Sequence, residues 1–433
     1  MKKQLTIEEK LQNALVPKEE QPYKIPNNWC WTYVSNVMNI VMGQSPKGID
    51  TTQNISDIPL IGGASDMGNL YPIVNKYTKK PTKLSKENDV ILSIRATLGR
   101  PIFSDGVYCL GRGVAGVSSN YLSKEFIRYY YICFESVLYS NATGTTFLQV
   151  TGSVLNKMLI PLPPINEQQR IVNRIESLFT KLDKAKELIE NTLAQFEQNK
   201  MAILHKAFTG ELTAKWRKEN NIDLSSWKKC ELKEVFKVVK DKYNPQTENQ
   251  IVNYIGLENI ETSKGIISKN NSSEVKSIKT KFKKDDVLCG KLRPYLNKHD
   301  VVNFDGICST DILVFRFNDI NTAKYINYYF NLPMFIQYAV ENSSGINLPR
   351  VSEKTISKYK ISLPTIEEQQ EIVNILDKLL AKYNKIKNLE QQLEKIELLK
   401  KAILAKAFRG ELGTNNPDEE SAEVLLKEIL AEK

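Results

Sequence analysis

Histidine is nearly missing from this chain of 433 residues. There are two, His205 and His299, far apart and without cysteine neighbours, which argues against a catalytic zinc. The six cysteines (Cys30, Cys109, Cys133, Cys230, Cys289 and Cys308) are scattered and form no Cys-x-x-Cys pair, so reduced thiols in a cytoplasmic protein are expected. No apolar run reaches the roughly 18 residues of a membrane-spanning helix. The first ten residues, Met1 to Lys10, lack the apolar core of a signal peptide. No G-x-x-x-x-G-K-[ST] loop for ATP occurs. The run Gly111-Arg112-Gly113-Val114-Ala115-Gly116 does fit G-x-G-x-x-G, but a dinucleotide site needs a strand before it and a helix after it. Here β-prone residues and Ser118-Ser119-Asn120 follow, so a strand-and-turn role is expected and no cofactor.

What remains is ordinary globular material, 41% hydrophobic and 25% charged. The length implies two to four domains. The formal net charge of +10 makes an acidic partner plausible, with nucleic acid the first candidate.

The strongest signal is an internal repeat. One stretch opens Leu162-Pro163-Pro164-Ile165-Asn166-Glu167-Gln168-Gln169-Arg170-Ile171-Val172-Asn173 and closes Ala202-Ile203-Leu204-His205-Lys206-Ala207-Phe208-Thr209-Gly210-Glu211-Leu212. The second copy opens at Leu363 and closes at Leu412, with the openings offset by 201 positions and the closes by 200, so one residue is lost inside it. Each copy reads as one long helix. Pro163 and Pro164 bar extension backwards, Asn166 is the expected N-cap, Glu167 suits the positive end of the dipole, and Gly210 is the expected stop. Ile171, Ile175, Leu178, Leu182, Ala185, Ile189, Thr192, Phe196, Asn199 and Ile203 step by four and three, a coiled-coil seam. The second copy gives Ile372, Leu376, Leu379, Tyr383 and Ile386, then breaks step to Leu389, Leu393, Ile396 and Ile403. At 1.5 Å per residue each helix is about 60 to 65 Å long. Neither buries its seam alone, and each has the other as an obvious partner. The blander reading packs each helix on its own domain. His205 is matched by Ala405, which points to a surface role.

The rest alternates with these helices. Residues 6 to 16 predict a short helix ending near Pro17. Residues 29 to 160 hold short β-rich runs, Val90 to Ile94 and Val114 to Val117, and an aromatic helix-like run, Phe126 to Leu138. Thr213 to Ser225 reads as a polar linker. A second globular region follows and mirrors the first in outline: Ser226-Trp227 against Asn28-Trp29, Asp286-Val287-Leu288 against Asp89-Val90-Ile91, Tyr325 to Val340 against Phe126 to Leu138, and Gly345 to Val351 against Gly144 to Val150. Pro333 is expected to end or kink a helix. The tail, Asn415 to Lys433, is acidic with a short helix. The segments are therefore 1–161, 162–212, 213–362, 363–412 and 413–433. Two similar readers at a set distance suit a ligand with two separated half-sites, and duplex DNA is such a ligand.

Leu162 to Gln169 with its repeat Leu363 to Gln370, Lys206 to Leu212 with its repeat Lys406 to Leu412, and Tyr254-Ile255-Gly256-Leu257-Glu258-Asn259-Ile260 together resemble the specificity subunit of type I restriction-modification systems; Gly43-Gln44-Ser45-Pro46 is a looser match. The resemblance covers nearly the whole chain. It implies an α/β (α+β) fold of two globular target-recognition domains separated by two long antiparallel coiled-coil helices. It also implies double-stranded DNA as ligand, two methyltransferase subunits docked on the helices, and two motor-nuclease (restriction) subunits. Those partners use S-adenosylmethionine, ATP and Mg, while the specificity subunit catalyses nothing. Consistent with that expectation, Asn331-Leu332-Pro333-Met334 is not the Asn-Pro-Pro-aromatic motif of adenine methyltransferases. The repeated residues Glu167, Gln168, Gln169 and Phe208, with Glu368, Gln369, Gln370 and Phe408, are the expected partner-docking and spacer positions.

Bases in the major groove are read by Arg, Lys, Asn and Gln, and phosphates by Lys, Arg and turn N–H groups. The candidate contacts are Gln44, Ser45, Lys47, Arg95, Arg100, Arg112 and Gln149 in the first region. In the second they are Lys291, Arg293, Tyr295, Lys298 and Arg350. Each could equally be a solvated surface charge. Two rival readings are a self-sufficient restriction or methylation enzyme, against which the missing motifs argue, and a coiled-coil scaffold that binds protein rather than DNA.

Overall fold

The computed structural model describes residues 5–144, 147–248, 250–262, 264–384 and 387–433. They gather into two compact units, one of Met1–Leu188 with Gln391–Lys433, the other of Ile189–Glu390. The successive segments of the sequence are thus regrouped, and the first unit contains both ends of the chain.

Each unit is built on the same four-stranded antiparallel sheet. In the first, Asn39–Met42 pairs with Val114–Ser118, which pairs with Val90–Ser93, which pairs with Gly99–Phe103. In the second the order is Phe236–Val238, Ile312–Phe317, Val287–Gly290 and His299–Val301. The central strands Val90–Ser93 and Val287–Gly290 are buried throughout, as continuous β-prone runs demand. A second sheet, of four strands in the first unit and five in the second, holds one parallel pair in each: Ile58–Ile61 with Cys109–Leu110, and Asn253–Ile255 with Gly306–Cys308. The glycine-rich run at 111–116 is a turn that leads directly into a strand rather than a helix. A Cβ at Gly113 would lie 2.4 Å from the Gly62 carbonyl oxygen, so glycine there serves close backbone approach.

The aromatic runs fold as helix pairs. Lys124–Cys133 and Glu135–Ser140 break at Phe134, and Ile320–Tyr329 and Pro333–Glu341 break before the proline, which takes the first helical turn. Each globular region is closed by a two-stranded ribbon. Cys30–Tyr33 pairs with Leu159–Leu162, and Lys228–Glu231 pairs with Lys360–Leu363.

The first long helix runs unbroken over Ile165–Phe208, 44 residues. Asn166 lies within it and is not its N-cap. The Pro164 carbonyl already accepts from the N–H groups of Glu167 and Gln168, so the helix starts two residues earlier than the capping preference suggested. The second is described as Ile366–Asn384 and Lys387–Ala407. The step after Ile386, where the sequence loses its residue, touches positions outside the described residues. In the first unit the helices run antiparallel, since Asp183 pairs with Lys400 and Lys186 with Glu397. The start of the first helix (Ile171, Val172, Ile175) and the end of the second (Leu404, Ala407, Phe408) enter one core. In the second unit the partners exchange, Leu204 and Ala207 packing with Ile372, Val373 and Leu376. In the first helix deep burial is confined to the ends, and the mid-helix seam residues Leu178, Leu182, Ala185 and Thr192 are half-buried; in the second, Ile396 is buried mid-helix.

The repeated Glu-Gln motif is where structure corrects expectation. Glu167 is wholly buried and accepts from the Trp29 indole Nε1 at 2.7 Å, the Thr414 hydroxyl at 3.0 Å and the Asn415 amide at 2.9 Å. Glu368, equally buried, accepts from Trp227 Nε1 at 2.8 Å and Thr213 at 2.6 Å, and forms a short ion pair with Arg217. Gln168 and Gln369 donate to the Pro163 and Pro364 carbonyls. Phe408 packs on Phe126, Tyr130 and Phe134, and Phe208 on Tyr325 and Tyr329. Glu167, Gln168, Glu368, Gln369 and Phe408 therefore clasp each globular region to its helices from inside and present nothing to a docking partner. Only Gln169 and Gln370 face outward, each donating to an asparagine one turn on, Asn173 or Asn374. The presumed linker is part of this clasp too. Ala214–Glu219 is helical, and Thr213 and Arg217 are buried. The tail is equally integrated, for Ala422–Glu432 buries Ala422, Leu426, Ile429 and Leu430 against the first unit.

Candidate nucleic-acid interface

The same loop arrangement leaves the end of the central strand in both units. In the first, a tight loop closes by paired bonds between Thr143 and Gln149, and docks through Ala96 N–H to the Leu148 carbonyl and Val150 N–H to the Ile94 carbonyl. In the second, Ser344 and Arg350 close the loop, and Arg293 N–H to the Pro349 carbonyl and Val351 N–H to the Lys291 carbonyl dock it. Non-glycine residues hold left-handed backbone at matching stations of the two units: Asn88, Ala96 and Arg100 in one, Asp285, Arg293 and Asn297 in the other. Such conformations cost of order 1 to 3 kcal/mol each and persist where surrounding bonds dictate them.

These bonds unite most of the candidates. Gln149 bridges Arg95, Ile94 N–H donates to the Gly113 carbonyl, and Arg112 N–H donates to the Ser45 hydroxyl. Gln44, Arg95, Arg112 and Gln149 are exposed on this one surface, and Lys47 is exposed further along the Gln44–Ser45 loop. In the second unit Lys291, Arg293, Tyr295 and Arg350 gather in the same way, Arg350 bridging Leu292 and Ser344. Two candidates are spent internally instead. Arg100 turns its guanidinium onto the carbonyls of Ala64 and Met67, and Lys298 gives its ammonium to the Leu257 carbonyl at 2.7 Å. The Ala64 and Leu257 carbonyls each take this cation in addition to a backbone N–H, from Met67 and Ile260, so these cations brace loops.

The structure adds residues that the sequence did not reveal. Asp311 holds Arg350 through Nε at 3.0 Å. Ile346, at the tip of its loop, is 99% exposed, an apolar group on a basic surface. Asn259, in the Tyr254 to Ile260 run, is buried and accepts from Gly256 N–H; its part is to shape a turn.

His299 braces this surface from below. Its Nδ1 lies 2.6 Å from Asn327 Oδ1 and its Nε2 3.1 Å from the amide nitrogen of left-handed Asn297. The neutral ring with its proton on Nδ1 satisfies both bonds. Burial, chiefly, depresses its pKa, against smaller raising effects from Asn327, Asp300 and Asn331. The unfolded chain then takes up a proton the folded unit refuses, so His299 contributes stability that declines as pH falls below about 6.5. Hydrogen exchange of the Val287–Val301 region, corrected for intrinsic rates, is expected to show weaker protection at pH 5 than at pH 7. His299→Leu should remove most of that difference; an unchanged difference overturns the assignment.

Among the described residues, no group of three or more His, Cys, Asp or Glu is placed to hold a metal, and no helix is long and apolar enough to cross a membrane.

Each of the two strand-built units sets basic and polar side chains on loops held by the same backbone bonds, an arrangement suited to nucleic acid. The type I restriction modification DNA specificity domain matches residues 26–195 and again 225–398, and the chain belongs to that family of type I restriction-modification specificity subunits. It is 28% identical to the EcoDI specificity subunit of Escherichia coli, over 68% of this chain and 73% of that one. It is 24% identical to the EcoKI specificity subunit of Escherichia coli strain K12, over 95% and 96%. A chain from a structural study of complex assembly and conformational transition in the type I R-M system shares the fold, with a TM-score of 0.70, 20% identity and coverage of 90% of this chain and 100% of that one. The protein is thus a DNA sequence-recognition subunit of two similar α/β domains carried on long antiparallel helices.

Proposed function

We propose that each unit reads one half of a bipartite DNA target, and that the chain guides partner enzymes rather than catalysing a reaction itself. The observation that carries this reading is the duplicated loop cluster, in which the same backbone bonds present Arg95, Arg112 and Gln149 in one unit and Lys291, Arg293 and Arg350 in the other. Duplicated scaffold with differing readers suits two different half-sites. The partners in this reading are two methyltransferase and two restriction subunits, which supply the chemistry of S-adenosylmethionine, ATP and Mg. For their docking we assign the outward face of each helix start, where Ile165 and Ile366 stand exposed one turn before Gln169 and Gln370. Two equivalent faces suit two copies of one partner.

Two linked measurements test this. Methylation mapping of DNA in cells carrying the chain with its methyltransferase partner should give a split motif with a fixed gap and N6-methyladenine on both strands. A contiguous motif would mean that one unit is silent. Binding by the chain should weaken steeply with salt, each neutralised phosphate adding about 0.9 to the slope. Salt-insensitive association without DNA would instead make it a protein scaffold. Methylation by the purified chain with S-adenosylmethionine alone would overturn the non-catalytic role. Ile165→Glu with Ile366→Glu should abolish co-purification of the methyltransferase while leaving DNA binding intact.

A further inference from the structure

One arginine of the second unit has its donors already divided. A guanidinium carries five N–H groups. Arg350 spends Nε on Asp311 Oδ1 at 3.0 Å, one Nη2 hydrogen on Asp311 Oδ2 at 3.5 Å and one Nη1 hydrogen on the Leu348 carbonyl at 3.5 Å. One N–H remains on each terminal nitrogen. Those two form a fork, the arrangement that meets O6 and N7 of guanine in the major groove.

Both partners are fixed at the backbone. Arg350 N–H donates to the Ser344 carbonyl at 2.8 Å and receives the Ser344 N–H at its own carbonyl at 2.9 Å. The Asp311 carbonyl accepts from Lys291 N–H at 2.9 Å, and the Asp311 N–H donates to the Ser309 hydroxyl at 3.3 Å. Despite these restraints the Arg350 side chain keeps 43% exposure. A carboxylate this close offsets much of the charge that would draw a free cation to phosphate, yet leaves two directional donors.

The first unit supplies a contrast. Its residue at the Arg350 station is Gln149, and the carbonyl that meets Ile94 N–H, as Asp311 meets Lys291 N–H, belongs to Gly113. A neutral reader is there without a counter-charge, and a charged reader here has one. The pair thus varies together between units on an otherwise shared frame.

We propose that Arg350 reads a guanine in the second unit's half-site and that Asp311 is its positioning residue. The proposal rests on the reading of this chain as a duplex-DNA reader and deepens it to one residue and one base.

The test is selection of bound duplexes from a randomised pool by the full chain, alone and with its methyltransferase partner. The wild type should select a guanine at one position that Arg350→Ala relaxes, all other positions holding, with a loss of about ten- to hundredfold on the selected target. Arg350→Lys, which keeps the charge and loses the fork, should relax the same position. Asp311→Ala should weaken discrimination there more than overall binding. Replacing that guanine by 7-deazaguanine should weaken the wild type several-fold and leave Arg350→Ala unchanged. Uniform weakening across all sequences, with a salt slope smaller by about one, would make Arg350 a phosphate contact and overturn the proposal. Unchanged selection by Arg350→Ala and Arg350→Lys would make the pair a surface ion pair only. A wild type that selects no sequence at all overturns the broader reading instead, a failure seen before any variant is compared.

Discussion

Glu368→Gln should destabilise the second unit by about 3 to 5 kcal/mol, the cost of leaving a buried cation without its counter-charge. Arg217, buried beside Glu368, donates to that carboxylate, to Thr213 and to the Gly210 carbonyl. Glutamine keeps one acceptor but removes the charge that permits an arginine there. The matching Glu167→Gln should cost less, about 1 to 3 kcal/mol, because its donors are the neutral groups of Trp29, Thr414 and Asn415. Urea unfolding followed unit by unit through hydrogen exchange separates the two. Adding Arg217→Met to Glu368→Gln should recover most of the loss, since an apolar replacement for a broken buried pair is commonly tolerated. Equal costs for the two glutamate changes, or no recovery, would mean that the ion pair is not what holds the second clasp.

Phe408→Ala should cost the first unit about 3 to 5 kcal/mol through lost burial and the cavity left behind. Its ring is 1% exposed and lies 5.3 Å, centre to centre, from Phe126 and 5.7 Å from Phe134. Because Phe408 stands just past the end of the second long helix, the loss should appear as faster exchange across residues 400–412 and in the Lys124–Cys133 helix. The second unit should be unaffected. Phe408→Leu, closer in volume and shape, should cost far less. A Phe408→Ala variant as stable as wild type would show that Leu404, Ala407 and the tail helix anchor the helix end without it.

Architecture was legible because it rests on long-range regularities. Apolar residues at steps of four and three must face a partner, and text repeated at an offset of 201 must fold alike. The fate of individual polar residues was not legible, because it depends on which atoms meet across hundreds of positions. Glu167 and Glu368 open helices, which suits an exposed acid well, yet both are buried because Trp29 and Trp227 arrive from the globular regions with an indole N–H needing an acceptor. Thr213 and Arg217 lie in a stretch whose charge reads as linker, and only Glu368, about 150 positions on, makes it interior. One signal was present: Thr213 follows Gly210-Glu211-Leu212 much as Thr414 follows Gly410-Glu411-Leu412. At the candidate interface, residue type located the loops, but Arg100 and Lys298 turn onto backbone carbonyls of other loops, a meeting that no pattern of types records.

The ribbons that close each globular region bear on inheritance. Cys30 pairs with Leu162 and Lys228 with Leu363, so each reader enters and leaves its frame at neighbouring points, about 5 Å apart. A reader bounded in this way is a cassette. Any domain whose ends meet at that spacing fits between the strands without disturbing the helices. The repeated text beside each ribbon gives a gene two like-sequence stretches at which crossover can trade one cassette for another. A lineage can then exchange one recognition domain in a single genetic event, while the long helices pass unchanged to the descendant.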